Sequence, residues 1–464
     1  MAGLFSAIET GKRALLTSQA VLRTVGQNIA NVNTPGFRRQ RVMIAASRPE
    51  VIAQGVLGTG VEVTDIRHAR DLFLGQQERE ATKSLGQWSY KEKALSELEA
   101  IFNEPQDNSM SQILTEFWDS WSELATNSDS LSNRKAVVAS ANRLTTEFRQ
   151  LSKKMTDLRN SADAEVETIV ADVNKMTGEI ARLNQQISQL ELGGESANDL
   201  RDERDTIIQN LAELIDVRTI DKPDGTASVL MGGMTIVDGP QAMAIATKSD
   251  RNASLVTSSL VWAGTDIRLT NLGGKLAGLI ETRDDLVPSQ LSDLDNLART
   301  IVTQVNALHR SGYGMDGTTN VAFFDTTRLT AGTIQVNTEI TLDPSRVAAS
   351  STITGNNDIA LAMSELRDAK LMADGQASVS DYYGSMVSAA GLQAKEAATT
   401  SANYELLKQQ ISNARQSVEG VNLDEEMTNL VKYQHAYDAS ARVITAMDQA
   451  LDTVIAGMGI VGRN

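Results

Sequence analysis

Apolar residues recur at alternating steps of four and three through the start of the chain. Leu4, Ile8, Leu15, Leu22, Val25, Ile29 and Val32 share one register, and Gly11 and Ser18 fill its two gaps. A face held over about four heptads predicts an amphipathic helix. The pattern stops at Pro35-Gly36, inside NIANVNTPGFRRQ (residues 28–40). Proline pushes Thr34 out of the α region, and Pro-Gly favours a turn with positive φ at Gly36. Asn31 and Asn33 tolerate left-handed end conformations. The stretch therefore predicts a helix terminus followed by an extended basic segment.

Beyond the turn, Val61, Val63 and Ile66 alternate as a short strand before another helix starts. Residues 76 to 192 are nearly all helix by pattern, broken by turn formers at NEPQDNS (103–109) and TNSDSLSN (126–133). Val166, Ile169, Val173, Met176, Ile180, Leu183, Ile187 and Leu190 keep the 3/4 spacing without a miss, and Gly193-Gly194 closes the helix. Residues 196–217 predict the next helix, running back alongside it. Short alternating runs rich in Gly, Thr, Val and Ser over 218–270 predict a small β-rich module. Helix returns over 275–309, with a break or kink at Pro288, and 312–355 is β or irregular. From 356 the chain is helical to its end. There Leu430, Tyr433, Tyr437, Ile444, Met447, Leu451, Val454 and Met458 repeat the 3/4 spacing with only Ser440 polar. NLDEE (422–426) puts acids in that helix's first turn, where the helix dipole favours them.

The predicted fold class is mainly α. Long heptad-patterned helices from both chain ends form a helical bundle or coiled coil, and small β-rich modules are inserted between them. The expected segments are 1–75 (N-terminal helix, turn and arm), 76–217 (long-helix bundle) and 218–274 (β-rich module). They continue as 275–311 (return helix), 312–355 (β or irregular module), 356–420 (bundle return) and 421–464 (C-terminal heptad helix). An isolated helix carrying such a stripe is marginal in water. The ends are thus expected to fold against each other or against neighbouring subunits.

Composition narrows the classes. With 43 basic against 59 acidic residues the 464-residue chain carries a net charge of −16, which argues against nucleic acid as its partner. Its local basic cluster is Arg38, Arg39 and Arg41, expected as a solvated arm or, failing that, a protein contact. Cysteine is absent, so no disulfide, thiolate metal site or thiol nucleophile is available. No apolar run reaches a membrane-spanning length, and Glu9, Lys12 and Arg13 interrupt any signal-peptide pattern. Export, if it occurs, is expected by a route that reads no cleaved signal. The three histidines, His68, His309 and His435, are far apart and expected to be exposed or partly packed. Hydrolase, P-loop and metalloprotease motifs are missing, and DKPDGT reads as a turn rather than a calcium loop. Asp284-Asp285 and Glu425-Glu426 are expected at helix starts or on solvated faces. No catalytic, cofactor or metal residue is assigned.

NIANVNTPGFRRQ resembles the N-terminal signature of bacterial flagellar rod, hook and hook-associated proteins, and residues 420–455 resemble the C-terminal signature of the same axial family. Phe37 stands where that family often has tyrosine, and Arg38 where a small or polar residue is commoner. Interior stretches 198–217, 273–317 and 321–325 are similar to the branch at the hook–filament junction. The resemblance implies a structural subunit whose terminal helices form the inner tube of the axis, with the middle of the chain outward. It implies a ring-like layer of identical subunits, with hook protein proximal and the third hook-associated protein distal. It also implies unfolded type III export, with a cytoplasmic chaperone on the C-terminal helix, and a final location outside the cell. Nucleic acid and membrane are not among the implied partners. The implied assembly interface is Leu15, Leu22, Ile29, Asn31, Asn33, Pro35, Gly36, Phe37, Arg38 and Arg39, with Leu430, Tyr433, Tyr437, Ile444, Met447 and Leu451. Another axial protein, or an enzyme domain carried on an axial scaffold, are the alternatives.

Overall fold

The first register folds as helix α1 (Ala2–Ala30) in a computed structural model that describes residues 2–458 apart from Pro35, 53–54, 105–107, 194–195, 251–256 and Thr354. The strands β1 (Gln40–Ala46), β2 (Glu50–Ile52), β3 (Gly55–Leu57) and β4 (Val61–His68) follow. Then come helices α2 (Leu72–Phe102), α3 (Met110–Thr126), α4 (Leu131–Leu192) and α5 (Asn198–Leu214). Strands β5 (Val217–Asp221), β6 (Ala227–Met231), β7 (Met234–Asp238), β8 (Gln241–Ala242), β9 (Ile245–Asp250) and β10 (Thr257–Trp262) form the next stretch. The remaining helices are α6 (Gly274–Glu281), α7 (Val287–Ser311), α8 (Thr338–Leu342), α9 (Asp358–Glu365), α10 (Val379–Glu419) and α11 (Leu423–Met458). Long helices at both ends with small antiparallel sheets between them make this a mainly α fold with β inserts.

The break or kink expected at Pro288 takes the form of a π-helical turn: α6 passes into Thr282–Leu286 before α7 begins. Pro288, which has no N–H to donate, sits just after that turn. Helix also lapses between α9 and α10, where Ala373, Asp374 and Gly375 all take positive φ.

The chain divides into two compact units. The first comprises Met1–Thr82, Val173–Ile245 and Glu405–Asn464. Here α1 and α11 run antiparallel, because Asn28 meets Glu426 while Gly11 lies against Ile444. A Cβ on Gly11 would stand 2.9 Å from Ile444 Cγ1, so glycine in the register gap permits the close approach. β1 pairs with β4 through a bulge at Met43/Ile44, and β2 with β3. β5 to β8 form a four-stranded antiparallel meander. Val173, Ile180, Leu183 and Ile187 of α4 are buried in this unit with Ile208 and Leu211 of α5 and Val229 and Val237 of the sheet. Asn184 stitches helix to sheet: its Nδ2 donates to the Ala227 and Gly239 carbonyls, each at 2.8 Å, and its Oδ1 accepts from the Ala227 N–H.

The second unit, Lys83–Asp172 and Ala246–Tyr404, holds all four tryptophans and a dense aromatic core. Phe117, Trp118, Trp121, Phe323 and Phe324 are buried together, with Trp121 and Phe323 ring centroids 5.3 Å apart. Residues 312–355 have little regular structure, yet Phe323, Phe324, Ile334, Val336 and Ile340 feed this core. His309, expected to be exposed or partly packed, is fully buried beside Phe323. Its Nδ1 lies 2.7 Å from the Val321 carbonyl, and its Nε2 accepts the Ala348 N–H at 2.9 Å. That pairing fixes the neutral tautomer with the proton on Nδ1.

Burial, aided by the nearby Arg134 charge, lowers the His309 pKa to about 4. The unfolded chain therefore binds the extra proton first as pH falls. Stability from keeping this ring neutral is complete above about 6.5 and is lost between 6.5 and 4. We expect the second unit to lose about 3 kcal/mol over that window. Urea titrations read by tryptophan fluorescence check this, since the signal comes from this unit alone. His309→Gln should start less stable and flatten the pH dependence.

Candidate functional site: a buried hub that ties both chain ends

Where α1 ends, Asn31 Nδ2 donates to the Gln27 carbonyl and the Phe37 N–H donates to the Thr34 carbonyl. Gly36 adopts φ +80, and a Cβ there would stand 2.5 Å from Thr206 Oγ1 on α5. Pro35 lies outside the described residues. The turn is thus seated against α5, and only glycine meets both demands. It sends residues 37–40 inward rather than out.

The expected solvated arm is corrected here: Arg38 and Arg39 are held by carboxylates of their own chain. Arg38 Nη1 lies 2.5 Å from Asp205 Oδ2 and 3.6 Å from Asp202 Oδ1. Its Nε is 3.0 Å from Glu419 Oε2, an ion-pair distance without hydrogen-bond alignment. Arg39 Nε donates to Glu426 Oε1 at 2.7 Å, Nη1 to Glu425 Oε2 at 2.5 Å, and its backbone N–H to the Glu419 carbonyl at 2.8 Å. Asn28 closes the arrangement. Its amide exchanges both hydrogen bonds with the Gln40 backbone and also donates to Glu426 Oε2 at 3.2 Å. Gln40 Nε2 reaches Asp199 at 3.1 Å. Of the basic cluster, Arg41 is the exposed member.

A second layer supports the first. His68 Nδ1 lies 2.8 Å from Asp202 Oδ1, and Arg70 contacts both Asp205 and Asp221. Arg415 pairs with Glu78 and Glu419, and Glu419 Oε1 accepts the Asp71 N–H at 2.8 Å. Burial pushes the Asp205 carboxyl upward, but Arg38 and Arg70 outweigh it and hold it below the ordinary aspartate range. Burial lowers the Arg38 pKa, yet Asp205, Glu419 and Asp202 leave it raised overall. Arg38, Asp202, Asp205, Glu419 and Glu426 keep little exposed surface, whereas Glu425 stays open to solvent.

The remaining residues assigned to the interface fall into two groups. Leu15, Leu22 and Ile29 on α1, with Leu430, Tyr433, Tyr437, Ile444, Met447 and Leu451 on α11, are half-buried in the region where those helices run together. Asn33 is exposed and Phe37 half-buried. Sequence reasoning missed Asn28, His68, Asp202, Asp205, Glu419 and Glu426. Glu426 reads as a helix-start acid on a solvated face, but it is 1% exposed. His435 is exposed, as read.

Arg38→Met removes one cation from Asp202, Asp205 and Glu419, which keep His68, Arg70 and Arg415 beside them, so the loss should be about 1–3 kcal/mol. We expect amide protection in α1 and α11 to fall by that amount, whereas Arg41→Ala changes it by less than about 0.5 kcal/mol. Gly36→Val should cost at least ~1 kcal/mol from backbone strain, plus the clash with Thr206. The Asp205 contribution is present above its unfolded pKa of about 4 and fades as pH falls through its depressed value.

Comparisons with known proteins converge on the same segments. The description "Flagella basal body rod protein" matches residues 8–38, and "Flagellar basal body rod FlgEFG protein C-terminal" matches 415–457. These two stretches carry Asn28 and Arg38 on one side and Glu419, Glu425 and Glu426 on the other. "Flagellar hook-associated protein FlgK helical domain" matches 95–324. A solved structure, the flagellar hook junction protein FlgK from Burkholderia pseudomallei, shares the fold with a TM-score of 0.66 at 17% identity, covering 74% of this chain and 100% of that one. Flagellar hook-associated protein 1 of Escherichia coli (strain K12) is 25% identical, over 97% of this chain and 99% of its own. The protein of that name from Bacillus subtilis (strain 168) is 33% identical over 100% of both chains. The chain belongs to the flagellar hook-associated protein 1 family.

Proposed function

We propose that the chain is a structural subunit of the flagellar axis that polymerises at the hook tip and joins hook to filament, serving flagellum assembly and motility. The carrying observation is that the paired terminal helices have more apolar surface than one partner helix covers. At roughly 100° per residue, Leu423, Met427 and Val431 step away from one edge of the α11 stripe, Val443 flanks the other, and Val454 continues the stripe itself. All five are exposed. On α1, Phe5 and Leu16 fall on one line beside the stripe and are also exposed. Apolar surface distributed this way suits helices with neighbours on both sides, as in a closed layer of identical subunits.

In this reading hook protein is the proximal neighbour and the third hook-associated protein the distal one. A cytoplasmic chaperone covers the C-terminal helix before export, and the subunit passes to the cell exterior unfolded. A chain without cysteine suits that passage, because no mispaired thiol can trap it. The role is mechanical rather than catalytic. Among the described residues no group of His, Cys, Asp and Glu is placed to hold a metal ion, and no helix is long and apolar enough to cross a membrane.

Val431→Asp and Val443→Asp put charge on the exposed edges, so each should change the stability of the monomer by less than about 0.5 kcal/mol. Both should fail to restore filament attachment in a strain lacking the protein. Tyr437→Asp and Leu451→Asp act at the half-buried stripe and should destabilise the monomer itself by several kcal/mol. Normal filaments on both exposed-edge variants would remove those edges from the interface.

A further inference from the structure

The second unit holds a cleft of about 630 Å³ between α2, the π-helical turn, the start of α7 and α10. Its walls are held close by Gly278, where a Cβ would stand 2.7 Å from the Gln87 carbonyl of α2. The π-helical turn adds a residue to the helix line, and such turns recur at binding sites. Arg283 points inward from it, to Asp163 and the Ser258 carbonyl at 2.7 Å each, while Arg159 donates to its carbonyl at 3.0 Å. Asp285 is left exposed on the cleft side.

The chemistry of the cleft is one-sided. Trp88 and Leu286 supply half-buried apolar surface. Three carboxylates, Glu281, Asp285 and Glu396, face a single lysine, Lys91. Lys91 stands 4.5 Å from the Trp88 ring centroid and 2.8 Å from Glu281, so its ammonium already satisfies that carboxylate. Asp285 and Glu396 have no such partner among the described residues. Gln290, 6% exposed, also lines the cleft, and its Oε1 is buried without a hydrogen-bond donor. A buried acceptor left unpaired costs free energy comparable to a lost hydrogen bond, so the site calls for a donor from outside. We infer that this cleft binds an alkyl-guanidinium or alkyl-ammonium group, its methylenes along Trp88 and Leu286 and its N–H groups toward Gln290, Asp285 and Glu396. Lys91 shows the same recognition within the chain: an alkyl stem, an aromatic face and a carboxylate.

The test uses the full chain and agmatine, an alkyl-guanidinium, with tryptophan fluorescence as readout. Trp118 and Trp121 are fully buried and Trp262, at the end of β10, does not line the cleft, so Trp88 should carry the change, and Trp88→Phe should abolish it. We expect saturable binding that butylurea, the uncharged analogue, does not reproduce. Asp285→Asn combined with Glu396→Gln should weaken it about fivefold or more without moving the melting temperature, since both carboxylates are exposed. Gln290→Leu should weaken it while leaving its salt dependence unchanged. Arginine amide separates the sources: competition with agmatine indicates a head group borne by a protein, and binding of agmatine alone indicates a free amine. An absent signal, one shared by butylurea, or one untouched by the double substitution would overturn the proposal.

Discussion

Two adjacent guanidinium groups taken out of water constrain everything around them. A buried charge without a partner costs several kcal/mol, so Arg38 and Arg39 are tolerable only if carboxylates reach them from elsewhere in the chain. Those carboxylates come from α5, from the last residue of α10 and from the first turn of α11. The pairing therefore fixes where α11 starts relative to where α1 ends. Asn28 makes that relation directional, because a side-chain amide that exchanges two hydrogen bonds with a backbone allows one register only. Burial adds strength but not register, since apolar stripes of this spacing could slide by a heptad.

The same hub explains how helices that are marginal alone can be ordered at one end and available at the other. Ion pairs and hydrogen bonds gather where α1 ends and α11 begins. Away from it, the helix pair rests on half-buried aliphatic contacts and the Gly11–Ile444 approach. Stability of this kind is graded along the helices, with the far ends the first to open. An assembling subunit gains from that gradient, because the end that must exchange one set of contacts for another is the weaker one.

Much of the fold was legible in the residues. The 3/4 spacing located α1, α4 and α11, and alternation with glycine turns located the β-rich stretch, because both periods follow from backbone geometry. The breaks before α3 and α4 followed from clustered turn formers. Pro288 made an interruption near the start of α7 legible, but not its π-helical form, since Thr282–Leu286 contains no residue that forces it. The lapse between α9 and α10 was missed because Ala373 is not a residue expected at positive φ. The site was half legible. Gly36 and the adjacent arginines stood out, but charge runs are usually solvated, and nothing local distinguishes Asp202 or Glu426 from surface acids. Their partners lie 164 and 387 residues away, a pairing that exists only in the folded chain.

Arg39 and Glu426 offer the most direct measurement, through a double-mutant cycle on the full chain. Amide hydrogen exchange in α1 and α11 would report the stability of the hub for Arg39→Met, Glu426→Gln and the pair together. If the two signature segments are held by this buried contact, each single change should lower protection by about 3–5 kcal/mol. The double change should then cost less than the sum by more than about 1 kcal/mol. Single effects below about 0.5 kcal/mol that simply add would mean that both groups are solvated, and that the chain ends are tied by apolar packing alone.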